Sequence, residues 1–322
     1  MTASLTCVSH GPALMNPMPE TAAHAGVVRA YAERARAIAA FDPDLIIICA
    51  PDHYTGVHLG MVPPFCVGYA ASAVADYGGT PGQLNVPEDL ARACLAAVRA
   101  SDIDIAASHE MIVDHGFSQP LTLLTGALDR YPTIPVFINT TCQPLSTFRR
   151  VRQLGEALGT FAAGLGLRVA FVASGGLSHH PANIFPQDIA ASPPELRDYL
   201  VHGGTRGGLD RDGWLDFLGE RTVLGGEMVV RGERTASDFR LNPDWDRYFL
   251  ALMEQGDYAV FDDWDPDWVI AHAGVAAMEV QQWICAASAA KICGASRIVT
   301  DLYHAGAEYR VAIGVAHAVS PS

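Results

Sequence analysis

Leu45-Ile46-Ile47-Ile48-Cys49-Ala50-Pro51-Asp52-His53-Tyr54 is the stretch that decides the fold. Six apolar residues without alternation suit a strand buried on both faces, as in a parallel sheet covered by helices on each side. Pro51 ends the run, and Asp52-His53-Tyr54 puts polar chemistry at its carboxyl end. Upstream, residues 20–40 are Ala-rich with Arg29, Glu33, Arg34 and Arg36 interspersed, and predict a helix stopped by Asp42-Pro43-Asp44. Downstream, Pro87-Glu88-Asp89 opens a helix to about residue 100, with an acidic first turn that suits the helix dipole. Strands are expected at 103–107, 134–139 and 169–173, with a helix over about 146–163. This alternation predicts a single α/β domain, a central mostly parallel or mixed sheet flanked by helices. Residues 203–268 break the pattern, beginning with Gly203-Gly204-Thr205-Arg206-Gly207-Gly208. They read as an inserted helical or irregular subregion, a lid or oligomer contact, containing a helix from Asn242 to about Gln255. An apolar helix over 275–292 follows, with one acid, Glu279.

Composition narrows the function. Of 322 residues half are hydrophobic and 17% are charged, against roughly 25% charged in an average soluble domain. A chain of this size and apolarity buries a large core and is not disordered. A formal net charge of −14 is a poor match for phosphate backbones or anionic lipid, so neither nucleic acid nor membrane is an expected partner. No apolar run approaches the ~20 residues of a bilayer span. No basic residue precedes Arg29, so no signal peptide is expected. Seven cysteines without paired spacing or a CxxC point to reduced thiols, a cytoplasmic setting and no zinc knuckle.

Open α/β sheets gather catalytic groups at the carboxyl ends of their strands, and the histidines fall there. His53 follows residues 45–50 directly, and His10 follows the short apolar run Leu5-Thr6-Cys7-Val8. His179 and His180 follow the 169–173 strand after Ser174-Gly175-Gly176-Leu177-Ser178. Those glycines are expected to turn the chain tightly enough for His179 to face the cleft. His115, in Asp114-His115-Gly116, lies a few residues past the 103–107 strand. Four histidine sites from distant parts of the chain are thus expected on one rim. His24, His58, His202, His304 and His317 read as surface residues, and His272 as a candidate just behind the site.

Glu279 is the most informative carboxylate. On an apolar helix it either shares an exposed stripe with Gln282 or is buried, which is costly without a cation or donors. Two imidazoles and one carboxylate with open positions form the facial arrangement of non-haem Fe(II) oxygen enzymes. Zinc also accepts His₂Glu, so ligand type alone leaves the metal open. Phosphate-loop and nucleophile-elbow patterns are absent.

With these residues in view, the chain resembles the class III extradiol ring-cleavage dioxygenases related to the catalytic subunit of protocatechuate 4,5-dioxygenase. The likeness is carried by Ser9-His10, Ala50-Pro51-Asp52-His53-Tyr54, Pro63-Pro64-Phe65-Cys66, Val113-Asp114-His115-Gly116-Phe117, Pro135-Val136-Phe137-Ile138-Asn139 and Ser174-Gly175-Gly176-Leu177-Ser178-His179. It is close over about the first 185 residues and resumes at Leu241-Asn242-Pro243 and over 279–283. It is weak over 203–235 and beyond Asp301. The resemblance implies Fe(II) ligands at His10, His53 and Glu279, and an acid–base pair at His115 and His179, accompanied by Asp114 and Pro181. It also implies cleavage of a 3-substituted catechol by O2 with both oxygen atoms inserted, in a homo-oligomer of tetrameric or larger size. His179 would take the second proton of the diol and His115 would protonate the departing oxygen.

Two other classes stay open at this point: a zinc-type hydrolase or amidase on the same three ligands, and a metal-retaining binding protein without turnover. Within the dioxygenases, the catechol could belong to a biosynthetic route. Which of Arg206, Arg211, Arg221 or Arg310 would meet a substrate carboxylate is not fixed by pattern.

Overall fold

The computed structural model describes residues 3–181, 189–295 and 297–319. Strand β1 (Ala3–Val8) and helix α1 (Ala22–Phe41) lead into β2 (Leu45–Ala50), β3 (Phe65–Gly68), β4 (Ala71–Ala73) and β5 (Gly82–Gln83). Then come α2 (Glu88–Ala100), β6 (Ala106–Ser108), β7 (Met111–Val113), α3 (His115–Thr125), β8 (Thr133–Ile138), α4 (Phe148–Ala163) and β9 (Val169–Ser174). Helices α5 (Pro194–His202), α6 (Arg211–Val230), α7 (Pro243–Gln255), α8 (Pro266–Ala273) and α9 (Val280–Ile292) precede β10 (Arg297–His304) and β11 (Ile313–Val319).

The main sheet has eight strands in the order β10-β11-β1-β9-β2-β8-β3-β6. Its centre, β1-β9-β2-β8, is parallel throughout. Antiparallel pairing of β11 with β1 and of β3 with β8 makes the whole sheet mixed. The six residues of β2 are all buried because the two faces of the strand serve two layers. Leu45, Ile47 and Cys49 pack with α2, α4 and α9, whereas Ile46, Ile48 and Ala50 pack with α1 and α3. A small second sheet joins β5, β4 and β7.

Several expected elements move. The strand predicted at 103–107 shrinks to β6, which pairs only with the end of β3; a marginal edge strand holds only the residues that find a ladder partner. The apolar 275–292 segment begins as a 3-10 turn over Val275–Glu279 and becomes α-helical at Val280, so Glu279 sits at the junction, and both it and Gln282 are buried. The stretch 203–268 divides in two. Trp245, Phe249 and Met253 of α7 join the main core, whereas Trp214 and Leu218 of α6 join a separate cluster with Tyr54, Cys142 and, from the preceding α5, Tyr199 and Leu200. The seven cysteines are free thiols. Among the described residues no helix is long and apolar enough to cross a membrane.

Helices α4 and α9 pack closely because glycine lies at the crossing. A Cβ at Gly155 would stand 2.1 Å from the Cys285 carbonyl oxygen, and one at Gly159 2.5 Å from that of Ala289. Gly155→Ala is expected to destabilise the fold by roughly 2 kcal/mol through overpacking, outweighing a helix-propensity gain of about 1 kcal/mol. Denaturant melts of the two proteins check this, and unchanged stability would show that the helices can move apart freely.

Candidate active site

Three of the four parallel central strands deliver a histidine from their carboxyl ends. β1 leads into Ser9-His10, β2 into Asp52-His53, and β9 into the 175–179 turn that ends on His179. His115 arrives differently from the sequence expectation. It follows β7 of the small sheet and is the first residue of α3, with Asp114 as N-cap accepting from the Gly116 amide at 2.9 Å. A helix start capped by a buried carboxylate thus aims the fourth imidazole.

Each turn is tied down. The Ser9 hydroxyl accepts from the Gly314 amide at 2.9 Å, and the Tyr31 hydroxyl donates to the Ser9 carbonyl. Gly11 exchanges two hydrogen bonds with the Gln119 side chain, at 2.9 and 3.2 Å. Asp52 accepts from the amides of Thr55, Gly56 and Val57 at 2.9–3.1 Å, which fixes the loop carrying His53. Trp214 of α6 donates its indole N–H to the His53 carbonyl at 3.2 Å, and the Tyr199 hydroxyl of α5 donates to the Tyr54 carbonyl at 3.0 Å. Asp246 of α7 accepts from the Ser178 amide at 2.8 Å, the Ser178 hydroxyl at 2.7 Å and the Tyr303 hydroxyl at 2.8 Å, and burial pushes its carboxyl up to about 6.

Four groups meet at the bottom of the cleft. Nε2 of His10 lies 3.4 Å from Nε2 of His53 and 3.4 Å from Oε2 of Glu279, while Nε2 of His53 lies 3.4 Å from Oε1 of Glu279. His179 Nε2 stands at 3.9 Å from Glu279 Oε1. Hydrogen bonds fix the rings from behind: His10 Nδ1 meets Ser174 Oγ at 2.9 Å, and His53 Nδ1 meets Asp114 Oδ2 at 3.0 Å. A carboxylate only accepts, so Asp114 holds a proton on Nδ1 of His53 and leaves Nε2 as the ring nitrogen turned toward Glu279. Metal–nitrogen and metal–oxygen bonds of about 2.0–2.2 Å set neighbouring ligand atoms roughly 3–3.5 Å apart. The spacing and donor set of His10, His53 and Glu279 fit a divalent ion on that test. The ligand nitrogens of His10, His53 and His115 also lie within 4.8 Å of one another, a wider group than the 3.4 Å contacts to Glu279.

Burial sets the charges. It holds His10 down at about 3, against the pull of Glu279, and also lowers His179, so both imidazoles are neutral near pH 7. Burial would raise Glu279, but His10, His53 and His179 together bring its carboxyl down to about 2. Its Oε2 accepts from the Gly176 amide at 2.7 Å. Burial opposes charging His53 as well, yet Asp114 and Glu279 override it and raise that imidazole.

Gly175 and Gly176 serve a purpose other than the tight turn expected of them. Neither has a positive φ. A Cβ on Gly175 would lie 2.5 Å from the Glu279 carbonyl, and one on Gly176 2.5 Å from Val311 and 2.6 Å from the His179 ring, so close approach excludes a side chain at both positions.

Pro181 and His180 line the same cavity as His10, His53, His115 and His179. His272 does not reach it. That residue is exposed on α8, with its Nδ1 on the Trp268 carbonyl at 2.8 Å and its ring against Trp268. His24, His58, His202, His304 and His317 are half-buried rather than on the open surface. Four of them pair with neighbours: His24 with Tyr309, His202 with Asp198, His304 with Glu308 and His317 with Asp301. Two site residues escape sequence reasoning. Asp76 accepts from both the amide and Nδ1 of His115, at 2.9 and 2.6 Å, and Ser174 backs His10. Asp76 lies in Ala75-Asp76-Tyr77-Gly78-Gly79, which reads as an ordinary turn, so no local signal marks it.

Comparison with known proteins gives the family. The family described as the catalytic LigB subunit of aromatic ring-opening dioxygenase matches residues 4–307. The chain is 41% identical over 320 residues to a Rhodococcus protein named 2,3-dihydroxyphenylpropionate/2,3-dihydroxicinnamic acid 1,2-dioxygenase, covering 99% of each chain. A protein of that name from Paraburkholderia xenovorans is 41% identical, covering 99% of this chain and 98% of the other. One from Pseudomonas putida is 42% identical over 307 residues, 94% of each. The crystal structure of an uncharacterized protein from Escherichia coli K12 shares the fold at a TM-score of 0.51 and 12% identity, covering 97% of this chain and 98% of that one. By family match and by full-length identity, this chain belongs to the family of the catalytic LigB subunit of aromatic ring-opening dioxygenases.

Proposed function

We propose that this chain is an Fe(II)-dependent extradiol dioxygenase that opens the ring of a 3-substituted catechol with O2, its substituent carrying a carboxylate. The observation that carries the reading is the convergence of His10, His53 and Glu279 with 3.4 Å contacts, beside two further histidines in one cavity. The substrate class follows the relatives named for dihydroxyphenylpropionate and dihydroxycinnamate. His10, His53 and Glu279 would hold the ion; when bound, ferrous iron supplies the electronic link between an electron-rich diol and dioxygen.

The remaining steps belong to side chains. His179 donates from Nδ1 to the Leu177 carbonyl at 2.8 Å, which leaves a lone pair on Nε2, the nitrogen nearest Glu279. Kept neutral by burial, it is suited to take the second proton of the diol. His115 is held by Asp76 through Nδ1 and stacks on His53 at 4.3 Å between ring centres, so its Nε2 is the group to protonate the departing oxygen. Asp114 orients His53 and starts the helix that carries His115, which links the ligand to the acid. Pro181 lines the cavity together with His179. Helix α6 of the 203–268 segment lines the cavity, and Trp214 of α6 and Tyr199 of α5 hydrogen-bond the His53 loop.

Anaerobic loading with Fe(II), then addition of 3-(2,3-dihydroxyphenyl)propionate and air, tests the reading. One O2 consumed per substrate with a yellow ring-fission product is the expected result. Zinc-supported hydrolysis without O2 uptake would overturn it. Activity is also expected to decay in air as iron oxidises and to return with Fe(II) and ascorbate; a preparation indifferent to both counts against ferrous iron.

A further inference from the structure

The cavity that the histidines line, about 340 Å³ in volume, is also lined by three arginines: Arg221, Arg234 and Arg310. Two already have partners. The guanidinium of Arg221 lies over the Phe217 ring at 5.0 Å. That of Arg234 lies over Phe239 at 5.8 Å, near the Asp238 carboxylate. Arg310 is different. Its Nη1 is buried and, among the described residues, has no hydrogen-bond partner and no ion pair. Arg211, by contrast, is spent on the Thr55 carbonyl at 3.2 Å, and Arg206 is exposed.

The chain makes room for Arg310 at some cost. Its backbone sits at φ 60°, a left-handed conformation that a non-glycine residue seldom adopts, and such strain gathers at functional sites. Helix α6 carries Gly225 and Gly226 in its interior, where glycine is disfavoured. A Cβ at Gly226 would meet Arg310 Nη1 at 2.9 Å, and one at Gly225 would meet Arg310 Cδ at 3.3 Å. The next residue, Val311, packs on the turns of His10 and His179: added Cβ atoms at Gly11 and Gly176 would lie 2.9 and 2.5 Å from it. Arg310 is therefore one residue from the floor of the candidate metal site. Burial pulls its guanidinium down to about 10, with Tyr77 opposing, so it stays charged at neutral pH. A charged guanidinium with a buried Nη1 that no described residue satisfies is expensive unless a ligand completes it, and its planar fork matches a carboxylate.

We infer that Arg310 is the specificity residue that binds the carboxylate of the substrate side chain, with Gly225 and Gly226 as the notch that holds it in place. This rests on the ring-cleavage reading for its substrate but has its own readout. In Arg310→Met, kcat/KM for 3-(2,3-dihydroxyphenyl)propionate is expected to fall on the order of 100-fold, mostly through KM, as a lost charge-assisted pair requires. Turnover of 3-propylcatechol, which lacks the charge, is expected to stay within about threefold. Arg310→Lys should recover part of the loss. Gly226→Ala, which displaces the guanidinium without removing it, should show the same selective rise in KM. Calorimetry with 3-phenylpropionate on metal-free protein supplies a readout independent of turnover, with at least about tenfold weaker binding expected in Arg310→Met. Equal losses on both catechols, or an undiminished preference for the carboxylate with unchanged 3-phenylpropionate binding, would overturn the assignment. If the wild type turned over neither catechol, the ring-cleavage reading would fall, and 3-phenylpropionate binding would still decide Arg310.

Discussion

His53→Ala is expected to yield folded protein that retains less than about a tenth of the wild-type iron and has lost on the order of 1000-fold or more in turnover. The argument is geometric. His53 Nε2 lies 3.4 Å from both His10 Nε2 and Glu279 Oε1, so its removal opens one side of the proposed triad. Only one imidazole and one carboxylate would then face the ion, too few to compete with water. The loss also strips Asp114 Oδ2 of its ring partner while leaving the His53 amide bond at 2.7 Å, so the loop keeps its course. Iron content by metal analysis and O2 uptake check the expectation. Full iron with normal rates would remove His53 from the ligand set. Asp114→Asn should be milder, with metal affinity weakened roughly 10- to 100-fold, because it disturbs the orientation of the ring and not the ligand itself.

His179→Ala should show the opposite split: wild-type iron content, with turnover reduced by about 100- to 10,000-fold, the range of a lost acid–base group. His179 Nε2 stands 3.9 Å from Glu279, farther than either proposed ligand, and its ring is fixed from behind by the Leu177 carbonyl. Burial lowers its pKa, so the neutral, proton-accepting form prevails above that value and is lost as pH falls through it. The acid limb of the kcat/KM profile should therefore flatten in the variant. Retained iron and a flattened limb together mark a base; lost iron would make His179 a ligand, and an unaltered profile with full activity would leave it without a role.

The parts of the fold that were legible are those written in local pattern. The bounds of β2 and α2 match the expected ones because uniform apolarity between Pro51 and Asp42-Pro43-Asp44, and an acidic start after Pro87, are properties of short stretches. The strand expected at 103–107 lost its first residues because pairing at a sheet edge depends on what β3 offers. His272 shows the same limit in the site: its neighbourhood before the Glu279 turn suggested proximity, yet α8 turns its ring outward onto Trp268.

Chain order alone determined that histidines would stand at the ends of parallel strands, since an α/β sheet sends every such end to one rim. It also marked Glu279 as the one acid of an apolar segment, while its burial, and so its need for a partner, was decided by the tertiary structure. Only the tertiary structure decided which groups hold those histidines and which residues share the cavity with them. Asp76 reaches His115 over 39 positions, and Arg310 reaches Gly226 of α6. Contacts of that kind are set by how loops cross in space, and a turn aspartate or a lone arginine carries no periodicity that would reveal its destination.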